Sequence, residues 1–193
     1  LGGFLVRNME SYGILDTMGL TSRIVLDANI YTMNNRAEAF WMKKGILGDT
    51  VPLELNAKEL VHRNNKNSEL TVYGYTPMMV SVQCVQKTMD HCNHACVQYV
   101  LKDRYQKEFR GVCSCEFCYN TIYNTLPTSL LKEKEKAEKL GVKAYRLSFT
   151  TETQQETEKI VRAFVDVYLR GQKPDGQMQT EETTKGHFQR GVE

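Results

Sequence analysis

Short apolar runs of strand length alternate with helical periods along most of this chain, and that alternation restricts its folds more than any other feature. Residues 3–8 (GFLVRN) form an apolar run with a polar end, followed by residues 9–20, in which Ile14, Leu15 and Met18 recur at helical spacing. Residues 23–27 (RIVLD) predict a second strand, and residues 36–44 a second helix stopped by Gly45. Residues 50–56 (TVPLELN) predict a third strand, residues 57–63 a helix, and residues 70–82 one or two strands split by Pro77. The rhythm resumes at Pro127, which opens a predicted helix to Leu140 whose Lys/Glu pairs make a solvated face, capped by Gly141. Residues 143–149 predict a strand. Residues 151–170 predict a helix capped by Thr150 or Thr151, with Glu152 in its first turn and a core stripe of Ile160, Val161, Phe164, Val167 and Tyr168.

Strands alternating with helices pair in parallel through right-handed crossovers. The strand-length runs are too few to close an eight-stranded ring. No G-x-G-x-x-G or Walker motif follows any of them, which argues against an open nucleotide-binding sheet. The expected fold class is therefore α/β, the C-terminal part of a (β/α)8 TIM-like barrel, incomplete, with a Cys-rich insertion. In that scheme residues 1–170 are the partial barrel, residues 84–118 a metal-binding segment within it, and residues 171–193 a flexible polar segment with a closing motif. Leu1 in place of an initiator Met reads as a piece of a longer chain, whose remaining barrel strands would be its first partner.

All six cysteines lie between Cys84 and Cys118, spaced Cys84-x7-Cys92-x3-Cys96 and, after sixteen residues, Cys113-x-Cys115-x2-Cys118. Disulfide scaffolds are short, secreted and cysteine-dense throughout, whereas this chain has 193 residues and 41% hydrophobic content. No basic start followed by an apolar run opens it, and no window supplies the roughly 18 apolar residues of a membrane span. The expected compartment is the cytoplasm, where clustered thiols stay reduced and bind metals. Zinc accepts four thiolates tetrahedrally, and His91 and His94, interleaved with Cys92 and Cys96, allow a mixed site. Iron–sulfur clusters take four thiolates at similarly irregular spacings. Cys113 and Cys115 are the cysteines best suited to plain burial.

In barrels, chemistry gathers where strands end at the C-terminal face. The predicted strand ends are polar here: Arg7-Asn8, Asp27 with Asn29, Tyr31 and Asn34, Glu54 with Asn56, and Arg146 with Ser148. Glu54 and Arg146 are candidate catalytic residues, and Arg7, Asn29, Tyr31 and Asn56 candidate binding residues, with the arginines as fork-shaped donors to a polar or anionic ligand. Asn and Asp at such positions also cap helices routinely. There is no G-x-S-x-G elbow and no H-E-x-x-H helix, and the histidines number four. A net charge of +2 leaves no general electrostatic footprint. Two local sets mix cations with aromatics as a nucleic acid would require: Lys102, Arg104, Tyr105, Lys107, Phe109 and Arg110, and residues 185–190.

Several segments together resemble the collagenase-like peptidase family of unknown catalytic type. They are Leu5-Val-Arg-Asn8, Asp27 with Tyr31-Thr-x-Asn34, Leu53-Glu-Leu-Asn56 with Glu59-Leu60, Tyr73-Gly74, Pro77-Met-Met-x-Ser81-x2-Cys84, Leu101-Lys-Asp-Arg104, Tyr123-Asn124 before Pro127, Arg146-Leu-x-Phe-Thr150 and Gly186-His-Phe-x-Arg-Gly191. The resemblance covers essentially the whole chain and implies the C-terminal part of the family's core domain. It also implies two functional stories: a collagenase-like protease, or an oxygen-independent hydroxylase of an RNA base or the ubiquinone ring that carries a 4Fe-4S iron–sulfur cluster. The family pattern places the cluster ligands on Cys84, Cys92, Cys96 and Cys118, with Cys113 and Cys115 extra. The expected function is a Cys-ligated iron–sulfur enzyme hydroxylating an RNA base or similar substrate. The alternatives are a protease acting on a peptide substrate and a non-catalytic zinc-stapled binding domain.

Overall fold

A computed structural model describes residues 2–90, 92–174 and 182–191. His91 and most of the polar stretch 171–182 that the sequence predicts as a flexible loop lie outside the described residues. The strands in chain order are β1 (Phe4–Val6), β2 (Ile24–Leu26), β3 (Gly48–Thr50), β4 (Ser68–Gly74), β5 (Pro77–Ser81), β6 (Val97–Lys102), β7 (Glu108–Ser114), β8 (Tyr119–Tyr123), β9 (Thr128–Ser129) and β10 (Ala144–Ser148). The helices are α1 (Met9–Thr17), α2 (Asn35–Lys43), α3 (Ala57–Leu60), α4 (Val85–Thr88), α5 (Lys134–Lys139) and α6 (Gln154–Phe164). The chain forms two compact units, one of Leu1–Val72, Leu130–Leu147 and Lys185–Glu193, the other of Tyr73–Ser129 and Ser148–Thr184.

The first unit is built on a sheet in the order β1-β2-β3-β4-β10, with parallel pairing from β1 to β4. The fold is thus mixed α/β, with a parallel sheet forming part of a barrel-like wall. Asparagines at the strand-to-helix turns start the helices. Asn8 accepts from Ser11 N–H, Asn34 from Arg36 and Ala37 N–H, and Asn56 forms a capping box with Glu59. One face of β1 and β2 packs against α1 and α2: Val6, Ile24 and Leu26 form a core with Tyr12, Trp41 and Ile46, the two rings meeting edge-on at 4.8 Å.

On that same face Asp49 of β3 and Ser68 of β4 are polar, while Leu70 and Val72 further along β4 are apolar and buried. Asp49 pairs in register with Ser68, and both are buried. Buried Arg63 pairs with Asp49 and also donates to the Thr32 carbonyl at 2.8 Å, Asn65 Oδ1 at 2.9 Å and Ser68 Oγ at 3.0 Å. An ion pair removed from water is tolerated when its remaining donors and acceptors are all satisfied, as they are here.

In the second unit β5, β8, β7 and β6 form an antiparallel sheet in that order. Gly74 ends β4 at φ +152, and an added Cβ there would stand 2.7 Å from the Ser148 carbonyl oxygen, so only glycine fits. Tyr73 packs against Phe149 and Phe164, and α6 starts at a second capping box, Thr153 with Glu156.

Several expectations need correction. The third strand is Gly48–Thr50; residues 51–56 turn, because buried Pro52 supplies no N–H to a ladder. Glu54 therefore lies on a turn and shows no strand alternation. Residues 127–140 are not one helix: Thr128 and Ser129 pair with the end of β4, Leu131–Glu133 form a 3-10 turn, and only Lys134–Lys139 are α-helical, with Gly141 at φ +64 beyond. The last helix starts at Gln154 with Thr153 as its cap, and Glu152 instead accepts from the N–H groups of Thr150 and Thr151. The cysteine segment, expected as a metal-binding insertion, contains β6, β7 and the turn that leads into β8. No helix among the described residues is long and apolar enough to cross a membrane.

Candidate metal centre

Strand pairing explains why the thiols gather. Val97, the first residue of β6, pairs with Cys113 near the end of β7. The connection before β6, with Cys92, His94 and Cys96, therefore runs beside the β7–β8 turn, with Cys115 and Cys118. That turn is a 3-10 segment, Cys115–Phe117, closed by Cys118 in the left-handed region at φ 52. Cys84 is the residue before α4. All six cysteines are free; Cys84, Cys113 and Cys115 are buried and Cys92, Cys96 and Cys118 exposed.

The donor atoms of Cys92, His94 and Cys115 all lie within 4.8 Å of one another. Ligand atoms around a tetrahedral zinc ion stand about 3.5–3.8 Å apart, given metal–ligand bonds of about 2.0–2.3 Å, so these residues need only small side-chain rotations to share one ion. The Cys115 thiol, within 4.8 Å of the Cys92 sulfur, shares a buried cluster with Cys84 and Cys113. Cys118 Sγ sits 3.7 Å from the Cys115 carbonyl oxygen. Cys84 Sγ and Cys113 Sγ are 3.6 Å apart. The cluster can bind a metal.

Burial, reinforced by the neighbouring thiols, pushes Cys113 up to about 12 and raises Cys115 above the ordinary thiol value. Cys84 is lowered, chiefly by the Lys87 backbone N–H that its sulfur accepts, and the neighbouring Cys113 acts in the same direction. Metal binding at Cys115 would accordingly displace a proton.

Of the expected ligands, Cys92 belongs to the cluster and Cys118 adjoins it. Cys84 lies instead beside Cys113, and Cys96 is outside the three-residue cluster. His94 and Cys115 are the members to which the sequence pattern gave least weight. The signal for Cys115 was its place in a tight Cys-x-Cys-x2-Cys run, which a hairpin turn folds onto one side.

The other candidates belong to the first unit, some in line with the parallel strands and others on the turns that follow them. Val6 pairs with Leu26, Leu26 with Asp49 and Thr50 with Glu69, so Arg7, Asp27, Thr50 and Glu69 form one row across the strand ends. Their side chains alternate away from the helix-packed face. Arg146 of β10 joins this row, donating to Asp27 Oδ1 at 2.9 Å and Glu69 Oε2 at 3.0 Å. Arg7 holds Asp27 Oδ2 at 3.1 Å and reaches Asn29 Oδ1 at 3.4 Å, with its side chain 62% exposed and donors to spare. The hydroxyl of buried Thr50 and Glu54 Oε2 have no hydrogen-bond partner among the described residues. Asn56 is spent on its helix cap, and Tyr31, at φ 55, points outward at the end of a 3-10 turn. No family model matches the chain, and neither a curated protein nor a solved structure matches it.

Proposed function

We propose that this protein is a metal-centred member of the collagenase-like peptidase family, its metal held by thiolates and one imidazole on the connection and the turn that flank the antiparallel sheet. The convergence of Cys92, His94 and Cys115 carries this reading, with Cys118 as the fourth ligand. Zinc is the ion this donor set favours, since three thiolates and an imidazole are one of its usual closed tetrahedral sets. Held that way, the ion braces the turn and the connection that deliver its ligands. Substrate is met on the parallel sheet, where Arg7 offers free donors and is oriented by Asp27 and Asn29, a geometry suited to a carboxylate or phosphate.

A second reading is the iron–sulfur hydroxylase of an RNA base or a quinone ring that the family resemblance implies. The buried group of Cys84, Cys113 and Cys115, with the Cys92 sulfur within 4.8 Å of that of Cys115, favours it, because it offers four thiolates without a nitrogen. Such a cluster supplies electron transfer.

Anaerobic purification with metal and sulfide analysis and an absorption spectrum decides between them. The expected result is a colourless protein with about one zinc per chain, lost in Cys92→Ser and Cys115→Ser and kept in Cys96→Ser. A brown protein with roughly four irons and matching sulfide selects the cluster. A protein with neither metal overturns both.

A further inference from the structure

We infer that the strand-end row of the parallel sheet binds a free α-amino acid with an apolar side chain, which inserts between Arg146 and Glu69; this rests on the reading that substrate is met on this sheet. The charged side chains of the row are two guanidiniums, Arg7 and Arg146, and two carboxylates, Asp27 and Glu69, and they cancel. A bound anion or cation would unbalance the row, whereas a zwitterion adds no net charge.

The free valences of the row have the same two signs. Asp27 is occupied on both oxygens, Oδ1 by Arg146 and the Ala28 N–H, Oδ2 by Arg7. Glu69 is not: both hydrogen bonds from Arg146 fall on Oε2, at 3.0 and 2.5 Å, leaving Oε1 of this 30% exposed side chain to accept from a ligand. Arg146 donates three hydrogen bonds to the two carboxylates, which leaves N–H groups on both of its terminal nitrogens. Thr50 stands in the row between Asp27 and Glu69, on the opposite side of β3 from Asp49. It is only 1% exposed, and its hydroxyl has no partner among the described residues. A buried hydroxyl left unpaired costs free energy, and an ammonium seated between Glu69 and Thr50 removes that cost.

The exchange conserves every pair. The ligand carboxylate takes N–H groups of Arg146 and Arg7, the ammonium takes Glu69, and two ion pairs with the ligand replace the one between Arg146 and Glu69. An acid without the amine would strand Glu69, and an amine without the carboxylate would strand Arg146. Two residues back along the strands, the same face carries Leu5, its register partner Val25, and Gly48, which adds no side chain. Leu5 is half exposed, and an apolar ligand side chain laid along this second row covers it.

Calorimetric titration of the purified protein tests this with L-leucine, with 4-methylpentanoate, which lacks the ammonium, and with L-leucinamide, which lacks the carboxylate. The expected result is about one leucine per chain and each analogue about 10–100-fold weaker. Glu69→Gln, which keeps a hydrogen-bonding side chain beside Arg146, should bring leucine down to the level of 4-methylpentanoate. Arg7→Ala, at an exposed position, should weaken both, with the circular dichroism of each variant matching the parent. If 4-methylpentanoate or inorganic phosphate binds as tightly as leucine and Arg7→Ala releases it, the sheet takes an anion and the amino-acid inference fails alone. Equal affinity for L-aspartate would overturn the match to an apolar side chain. No binding of leucine, 4-methylpentanoate or phosphate overturns both the inference and the reading it rests on. Leucine binding unchanged by Arg7→Ala and Glu69→Gln places the ligand elsewhere and overturns the inference.

Discussion

Glu133 shows how a single carboxylate is fixed by its surroundings. It is buried at the end of a 3-10 turn and receives Lys136 Nζ at 2.6 Å and the ammonium of Lys185. Burial alone would raise its pKa, but the hydrogen bonds and charges of the two lysines outweigh that and hold it below the ordinary carboxylate value. A carboxylate depressed in the native state contributes stability above its unfolded pKa and loses it as pH falls through its native one. Glu133→Gln should therefore cost about 1–2 kcal/mol near neutral pH, and the difference should vanish in acid, below the usual carboxylate range. Denaturant unfolding of both proteins between pH 7 and pH 3 measures it, and a gap that widens in acid would contradict the sign. The helix caps Asn8, Asn34 and Asn56 were legible in the sequence, because a short polar side chain before a helical period has one common use. The partners of Glu133 were not, because Lys185 is remote in the chain and only tertiary folding brings it near.

Among elements, the parallel strands were easier to read than the antiparallel ones. A strand buried on both sides is a continuous apolar run, and β2 (IVL) shows as one. The strands β6 and β7 carry one packed face each, and the cysteines on β7 and around the two strands invite reading as a ligand segment instead of a sheet. Gly111 on β7 is the position where that hidden sheet is most constrained. A Cβ there would stand 2.3 Å from Tyr99 ring carbons, so the ring would have to leave its seat over the strand. Gly111→Ala should then break the Tyr99–Asn120 hydrogen bond, expose the buried thiols and cost about 1–3 kcal/mol. Faster alkylation of Cys113 in the variant, with a lower denaturation midpoint, is the expected pair of observations. Unchanged Cys113 protection would mean that Tyr99 does not seal the thiols.

At the scale of the whole molecule, the two units differ in what holds them. The first has a core of Val6, Tyr12, Ile24, Leu26, Trp41 and Ile46, an apolar mass that needs no ion. In the antiparallel sheet the buried cluster consists of Cys84, Cys113 and Cys115 with Tyr99 against it, while Met78, Met79 and Val80 of β5 are exposed. A sheet with so little aliphatic burial gains proportionately more from a metal bridging its turn and its leading connection, since binding energy that requires the folded site is folding energy. Stripping the proposed metal with a chelator should therefore speed amide exchange in β6, β7 and β8 by a factor of ten or more, about 1.4 kcal/mol of lost local stability, while β1 to β3 stay protected. Exchange that quickens equally in both sheets would show that the ion does not act locally. Exchange unchanged in either would leave Cys92, His94 and Cys115 as a chance meeting of polar side chains. The alternating strands and helices announced the first unit because apolar periodicity reports a core, whereas a sheet organised around sulfur leaves no such period in the chain.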